Sequence, residues 1–418
     1  MSIVSLKGYA VLRNRNYRLF WLGQWISLIG TWMQSVTQAW LLARLTDSPL
    51  ALGLLGAASS GPVLLFVLLG GLVSDRRDRR SVIIITQSLS LVQALAMAVL
   101  TLSGAVQPWH IIALAGLLGA INAFDIPARQ SFVVELVGPE LLPNAIALNA
   151  TGFNVARVAG PALGGLLVAA LGEGICFLLN AISYLAVLWG LWVIQVGAPA
   201  SSRRRDADRA GALQAGVRYV IERRELARIL LLVGVVGSIA VSYRAFLPAM
   251  ARTVLGVGAW RYGLLMAAAG VGAGVGGFLL AGQRLRPDAY RRLLPVSLLG
   301  FSLALSAFAL SRNYTASLLL LAAVGGGGIL YFNASNTLVQ LSVEDAFRGR
   351  VMSLYTLMQQ GTATFGSLVL GVVAERYGTP LALVSGAALC LAAVAVFVLQ
   401  SALEPRLHAE VTPIGGAD

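Results

Sequence analysis

The sequence has few charged residues and almost no histidine or cysteine. Only 12% of its 418 residues are charged, against about 25% in an average soluble domain. Two histidines and two cysteines, Cys176 and Cys390, are too few and too scattered for a disulfide framework, a metal centre or a catalytic triad. No Walker loop occurs, so ATP is not expected as the direct energy source. We predict that the chain is not an enzyme and holds no metal or cofactor.

Long apolar runs take the place of charge. Hydrophobic residues make up 57% of the chain, and many runs are long enough to cross a hydrocarbon core of about 30 Å. Continuous runs favour helices over barrel strands, whose hydrophobicity alternates. We predict an all-α membrane protein with twelve transmembrane helices near 17–44, 49–74, 81–103, 109–132, 144–171, 175–197, 226–250, 260–283, 292–311, 314–341, 350–375 and 380–402.

The positive charge follows the connections between these runs. The net charge is +13, yet the arginines cluster in every second connection, such as "DRRDRR" and "QRLRPDAYRR", while "TDSP" and "SRN" carry few. Basic connections stay in the cytoplasm. We therefore predict that both termini are cytoplasmic, and that the positive charge does not indicate a nucleic-acid partner.

A charged centre divides the chain into two similar parts. "SFVVELVGPELLPNAIAL", from Ser131, resembles "TLVQLSVEDAFRGRVMSL", from Thr337. Two parallel six-helix repeats with substrate near the midplane are a known transporter plan. We predict an N-terminal six-helix bundle at 1–197, a cytoplasmic linker with a short surface helix at 198–225, a C-terminal six-helix bundle at 226–403 and a cytoplasmic tail at 404–418.

Two short motifs suggest a moving transporter. In "GLVSDRRDRR" a glycine allows close helix approach, and the acid and arginines can form a conformational latch; the alternative is a basic loop that only sets topology. In "ARVAGPALGG" a proline and three glycines can kink and pack a helix that seals one side of a cavity; the alternative is ordinary small-residue packing. The latch candidates are Gly71, Asp75, Arg76, Arg79, Arg80 and Arg129, and the second motif comprises Gly160, Pro161, Gly164 and Gly165.

These motifs resemble the loop signature and the antiporter motif of the major facilitator superfamily, although Asp78 stands where the loop signature usually has glycine. Three longer stretches, "FWLGQWISLIGTWMQSVTQAWLLARLTDSPLALGLLGA", "PARQSFVVELVG" and "LPNAIALNATGFNVARVAGPALGGLL", resemble the bacterial branch that includes the enterobactin exporter and related drug efflux proteins. The resemblance covers almost the whole chain. It implies the twelve-helix fold and proton-driven efflux across the bacterial cytoplasmic (inner) membrane.

A charged stretch interrupts the apolar run of the fourth helix. In "NAFDIPARQSFVVEL", Asn122, Asp125 and Arg129 are spaced so that they share one helix face. Ionisable residues inside a span are costly and indicate function. We predict that Asp125 carries the coupling proton and forms or exchanges an ion pair with Arg157 of the fifth helix. The alternative is an interfacial Asp125 that pairs with Arg129 and caps the connection between the fourth and fifth helices.

Polar stripes at helical spacing run along the first, tenth and eleventh helices. Such a face lines either helix contacts or a wet cavity, and the superfamily resemblance favours the cavity for the first and tenth. Arg244 either attracts an anionic substrate or reaches towards the membrane surface. Trp25 and Trp32 either stack on an aromatic substrate or pack between helices. The predicted cavity residues are Gln24, Ser27, Thr31, Gln34, Gln38, Asn122, Arg244, Asn333, Asn336, Thr337, Gln340 and Gln360.

We therefore expect a secondary active transporter that exports a small amphipathic molecule, drug-like or siderophore-like, by alternating access and proton antiport. Its expected partners are that substrate and membrane lipids, and it is expected to act as a monomer. The alternatives are a lipid or lysolipid flippase or an importer of the same fold, and a non-transporting membrane sensor.

Overall fold

Helices make up almost the whole of the described chain. The computed structural model describes residues 11–194, 209–281, 283 and 286–410, without the side chains at 68, 75, 209–214, 281 and 401–410. Its helices are α1 Arg15–Leu45, α2 Pro49–Arg76, α3 Arg79–Leu102, α4 and α5 (the arms 108–137 and 139–171 of the helical run Pro108–Leu171), α6 Glu173–Val193, α7 Arg209–Glu222, α8 Arg224–Val254, α9 Ala259–Ala281, α10 Pro287–Leu310, α11 Tyr314–Ser342, α12 Asp345–Tyr377 and α13 Thr379–Glu410.

Twelve of these described helices are membrane spans. Ten helical segments are long and apolar enough to cross a membrane. One of them, Pro108–Leu171, has 64 residues, about 96 Å if straight, and supplies two spans. The twelfth span is α1, whose polar stripe lowers its hydropathy and which packs against α4, α5 and α6. The fold is that of an all-α membrane protein with two six-helix halves, as predicted. The short helix α7 lies between the halves in sequence.

The connection between α4 and α5 is shorter than the sequence suggested. We predicted a loop from 133 to 143, but the chain stays helical on both sides of Gly138, the single residue there with non-helical backbone (φ 71°). Pro139 is the first residue of α5, where a missing N–H costs little. The charged stretch of the fourth helix is therefore helical throughout, and Pro127 lies inside α4 without breaking it.

Local capping residues fix where several helices begin. Ser48 accepts a hydrogen bond from the backbone N–H of Ala51, and Pro49 follows it as the first residue of α2. Asn313 caps α11 in the same way through the N–H of Ala316. Such caps satisfy backbone donors that the helix leaves free. Both mark helix starts that lie beside short, charge-poor connections.

The two ends of the bundle differ in charge. We call the end that carries the α2–α3 connection, Arg286 and helix α7 the basic face, and the opposite end the far face. At the far face the halves touch: a Cβ on Gly53 of α2 would lie 2.9 Å from Gly371 Cα of α12, and one on Gly165 of α5 would lie 2.8 Å from Gly263 Cα of α9. Small residues allow such backbone contact.

Gly70, and not Gly71, is the glycine at a close helix crossing near the end of α2. A Cβ on Gly70 would lie 2.0 Å from the carbonyl oxygen of Ala123 in α4, whereas a Cβ on Gly71 would meet no atom within 4 Å. The prediction that Gly71 holds two helices together is therefore wrong for this state. The spacing of the motif located the segment but not which of two adjacent glycines faces its neighbour.

This difference gives a matched pair of variants. We expect Gly70→Ala to lower the free energy of unfolding by about 1–3 kcal/mol, because its methyl group would overlap backbone and not a movable side chain. Gly71→Ala has free space and should leave thermal stability unchanged. Thermal unfolding of the two purified variants in detergent measures both. Equal stability of the two would contradict the packing of α2 on α4 described above.

Candidate functional site: a cavity between the halves

A cavity of about 590 Å³ lies between the two halves. The N-terminal half contributes Trp32 of α1 and Phe153 and Arg157 of α5, and the remaining lining comes from α8, α10, α11 and α12. The lining positions lie near the middle of the spanning helices, and those of α11 and α12 extend towards the basic face. Since the helices touch at the far face, the cavity is closed on that side.

Irregular helical turns present several of the lining side chains. Helix α8 tightens into a 3₁₀ turn at Tyr243–Phe246, which carries Tyr243 and Arg244, and α12 widens into a π turn at Leu357–Gly361, which carries Gln359 and Gln360. Departures from α geometry inside a helix occur often at functional sites. Periodicity of the sequence does not show them, so Tyr243 and Gln359 were missed.

Four predicted cavity residues do line this cavity: Arg244, Asn333, Asn336 and Gln360. Arg157, predicted as the partner of Asp125, lines it as well. Three other candidates lie elsewhere. Gln340 is exposed and donates a hydrogen bond to Asn336 Oδ1 at 2.6 Å. Thr337 and Asn122 are half-buried and are not among the lining residues.

The polar stripe of α1 points into the N-terminal half and not into the cavity. Gln34 donates to Gln93 Oε1 at 3.1 Å and accepts from Asn180 Nδ2 at 2.7 Å. Gln38 donates to the carbonyl oxygen of Ile111 at 3.4 Å. Buried polar groups need hydrogen-bond partners, and neighbouring helices supply them here.

The rest of the stripe follows the same pattern. Thr31 donates to the carbonyl oxygen of Ser27, which is itself buried, and contacts the Tyr184 hydroxyl at 3.4 Å. Gln24 accepts from Arg129 at 2.6 Å. Assigning Gln24, Ser27, Thr31, Gln34 and Gln38 to the cavity was therefore wrong. A polar stripe indicates a helix face that does not contact lipid. Such a face can line a wet cavity or form hydrogen bonds inside a helix bundle, and the sequence does not distinguish the two.

Asp125 is buried and paired with Arg129. Its side chain is 2% exposed, and its Oδ2 lies 2.6 Å from Arg129 Nε. Thr86 and Gln87 of α3 donate to Oδ1 at 2.7 and 3.0 Å. The predicted pair with Arg157 is absent from this state, because Arg157 faces the cavity while Asp125 faces α3. The alternative pairing with Arg129 is present, but inside the span and not at a loop.

The arginines of the loop motif join helices within the N-terminal half. Arg79 of α3 forms an ion pair with Glu135 of α4. Arg80 donates to the carbonyl oxygens of Leu191 and Trp192, at the end of α6, at 2.9 and 3.4 Å. Arg76 is exposed, and the side chain of Asp75 lies outside the described part of the chain. The positive charge of an arginine near a helix C-terminus also interacts favourably with the negative end of the helix dipole.

Asp78 has a local structural role that explains its departure from the superfamily glycine. It is the N-cap of α3 and accepts from the backbone N–H of Ser81 at 2.9 Å. Partial burial raises the pKa of the Asp78 carboxyl, but hydrogen bonds from Ser81 and the charge of Arg80 outweigh it and hold that pKa below its ordinary value. Aspartate and glycine are both accepted at an N-cap, so this change leaves the loop intact.

The glycines of the second motif pack α5 against two helices. A Cβ on Gly160 would lie 2.4 Å from Trp32 Cβ, and one on Gly164 would lie 3.1 Å from the Met33 carbonyl oxygen, both in α1. Gly165 and the carbonyl oxygen of Pro161 instead meet Gly263 in α9 of the other half. The motif therefore forms part of the closed side of the cavity.

Polar contacts complete this closure at the far face. Glu375 of α12 accepts from the Ser48 hydroxyl at 2.8 Å and from the Leu50 N–H at 3.0 Å, at the start of α2. Arg252 of α8 lies 3.7 Å from Asp47, and Trp40 of α1 stacks on Tyr262 of α9. All of these contacts join one half to the other, so all of them must break if the far side opens.

A methyl group at the glycine crossing should weaken this closure. In Gly165→Ala the new Cβ would lie 2.7 Å from the Ala259 carbonyl oxygen, and overpacking typically costs about 1–3 kcal/mol. We expect a maleimide applied from the far face to label Tyr262→Cys about fivefold faster or more in the Gly165→Ala background. Gly274→Ala, with nothing within 4 Å, is the control. Unchanged labelling would mean that this crossing does not hold the far side shut.

Two six-helix halves around a central cavity closed on one side define a transporter of the major facilitator fold. Two solved structures share this fold: the nucleoside transporter NupG, at TM-score 0.69 and 14% identity over 92% of this chain and 98% of that one, and a bacterial homologue of the human lysosomal transporter Spinster in an inward-facing, unoccupied conformation, at TM-score 0.69 and 18% identity over 93% and 95%. At such identities the likeness concerns the fold alone.

The chain belongs to the transmembrane secretion effector family, which it matches over residues 6–413. Among its relatives, the enterobactin exporter of Salmonella choleraesuis is 25% identical over 96% of this chain and 95% of its own length. The staphyloferrin A transporter of Staphylococcus aureus is 23% identical over 86% and 90%. The protein is thus a multi-pass membrane transporter, not an enzyme, and its relatives include siderophore exporters.

Proposed function

We propose that the protein is a secondary active exporter that moves a small amphipathic molecule across the bacterial cytoplasmic membrane by alternating access. One observation carries the proposal: a cavity at mid-membrane between two similar halves is lined towards the basic face by α11 and α12 and is closed by helix contacts at the far face. Basic connections lie in the cytoplasm, so this state is open inward and both termini are cytoplasmic. Export is the direction named for the enterobactin relative.

The loop motif has a place in the opposite state. Gly71 follows Gly53 by 18 residues, about five helical turns, so both lie on the face of α2 that meets α12. Gly71 has open space in the described state, because the halves are apart at the basic face. When they close there, Gly71 and the Asp75–Arg76 segment would meet α12, and the latch would act in that outward-open state.

The proton site in this proposal is Asp125. A buried carboxylate held by one arginine and two neutral donors can lose its charge only if its partners rearrange. Gln87 now donates its amide N–H to Asp125, and its own Oε1 has no hydrogen-bond partner. If this amide flipped, Gln87 Oε1 could accept a hydrogen bond from the protonated carboxyl of Asp125. Arg129 would keep Gln24 as its hydrogen-bond partner. Both protonation states thus have hydrogen-bond partners, as a proton carrier requires.

The remaining features follow from this mechanism. The proton gradient supplies the energy, with no metal or organic cofactor. The proposed partners are the transported molecule and the surrounding lipid, and the proposed unit of action is the monomer.

Purified protein in proteoliposomes tests the proposal. An imposed proton gradient should drive dyes, antibiotics or siderophores against their concentration gradient, and a protonophore should stop this. Movement in the import direction only, scrambling of labelled lipid only, or no movement of any compound would each contradict the exporter assignment.

Asp125→Asn should separate proton coupling from transport. The change keeps the size of the side chain but removes the titrating group, so we expect gradient-driven export to be lost while exchange of substrate across the membrane continues. Glu173→Gln makes the same charge change in the same half, at the far face, where Glu173 pairs with Arg44, and should remain coupled. Gradient-driven export by Asp125→Asn at the native rate would remove Asp125 from the mechanism.

A further inference from the structure

Two arginines face the cavity from opposite halves, Arg157 from α5 and Arg244 from α8. We propose that they form a two-point receptor for negative charge, and that the transported compound is an aromatic organic anion that bridges them. This inference rests on the proposed transport function, because it assigns the cargo of that same cavity.

Neither arginine has an acidic partner in the described part of the chain. Among the described residues, the lining of the cavity holds two arginines, amides, aromatic rings and aliphatic side chains, but no aspartate or glutamate. The charge that acts most directly on Arg157 is that of Arg244, with the Tyr243 hydroxyl beside it. Two like charges in one partly dehydrated cavity repel each other, so this pair of arginines favours an anion between them.

Other arginines show how unusual this is. Arg129 is half-buried like Arg157, yet it has Asp125 at 2.6 Å. At the helix ends, Arg44, Arg79 and Arg252 pair with Glu173, Glu135 and Asp47. Cations inside a span normally find partners or mark a substrate path. Arg157 and Arg244 have no acidic partner among the described residues, and the Arg244 guanidinium lies 5.9 Å from the centre of the Tyr243 ring. Their position in the cavity fits a substrate path.

The aromatic side chains of the cavity are the reason for proposing an aromatic anion. Aromatic rings from both halves line the same cavity as the two arginines, and its volume of about 590 Å³ lies in the usual range for a ligand of drug size. Planar rings prefer to stack against or edge onto other rings. An aliphatic anion would leave these walls in poor contact, whereas an aromatic anion uses both features. The rings are those of Trp32, Phe153, Tyr243, Phe301, Phe332 and Tyr355.

The placement on opposite halves gives the receptor a role in the transport cycle. Rocking of the halves changes the surroundings of both arginines together. Without an anion, closing water out of the cavity would strengthen their repulsion; with an anion between them, each guanidinium gains a charge-assisted hydrogen bond. Bound cargo would therefore favour the closed intermediate through which the halves must pass.

Binding to the full-length protein in nanodiscs tests the receptor. The probes are biphenyl dicarboxylate, biphenyl monocarboxylate and the uncharged biphenyl dicarboxamide, which share one aromatic body. We expect affinity to fall in that order, and to fall for the dicarboxylate as salt rises. Arg157→Gln and Arg244→Gln should each weaken dicarboxylate binding about tenfold to a hundredfold, and each should remove its advantage over the monocarboxylate.

Two controls separate recognition of charge from general damage. Arg157→Lys and Arg244→Lys keep the charge and should recover part of the affinity. Arg218→Gln removes an exposed arginine of α7 that pairs with Glu222, and should bind as the native protein does. The receptor is refuted if the dicarboxamide binds as tightly as the dicarboxylate, if the double glutamine variant keeps native affinity, or if chloride or phosphate binds there and no organic anion does.

Flux measurements on the same variants keep this inference distinct from the proposed function. If native protein and the double glutamine variant export the same neutral or cationic compounds equally well, the anion receptor is refuted and the exporter stands. If the arginine-dependent binding is found but no compound moves across the membrane, the receptor stands and the exporter is refuted.

Discussion

The closed far face is the constraint on which the rest of the structure depends. Lipid offers helices no hydrophobic drive towards one another, so close packing of small residues has to hold them. Gly165 against Gly263 and Gly53 against Gly371 bring backbone to backbone across the two halves. Because these crossings lie at one end, the same helices diverge towards the other end, and the cavity is the space between them. Glu375 and Asp47 add polar contacts between the halves at this end.

Buried charge is used in two ways in this molecule. Asp125 and Arg129 form a compact, hydrogen-bonded group inside the N-terminal half, where a change of protonation would alter packing between α1, α3 and α4. Arg157 and Arg244 line the cavity, one on each half, with no acidic partner among the described residues. In the proposed mechanism the first arrangement responds to protons and the second binds the cargo. They are separate sites, so coupling between them has to pass through the movement of the halves and not through a shared ion pair.

Much of the fold could be predicted from the sequence, and particular residues show where the prediction failed. Apolar length gave the twelve spans, and the position of Pro161 among glycines gave the packed segment of α5. The polar stripe from Gln24 to Gln38 was assigned to the cavity, but its side chains form hydrogen bonds with residues of other helices, such as Gln93 and Asn180. Trp32, on another face of α1, is the residue that reaches the cavity. Asp125 was expected to form an ion pair with Arg157, but it pairs with Arg129, one helical turn away on the same helix.

The sequence by itself determined the class of protein: length and hydropathy require helices that cross a membrane, arginine placement predicts their orientation, and two local motifs identify the superfamily. These properties depend on neighbours along the chain, which a sequence displays directly. Only the tertiary structure decided which face of each helix meets which partner, that Gly70 and not Gly71 touches α4, and that two arginines far apart in sequence share one cavity. Those outcomes depend on helix rotation and on 3₁₀ and π turns. In an α-helix a shift of one residue turns the side chain by about 100°.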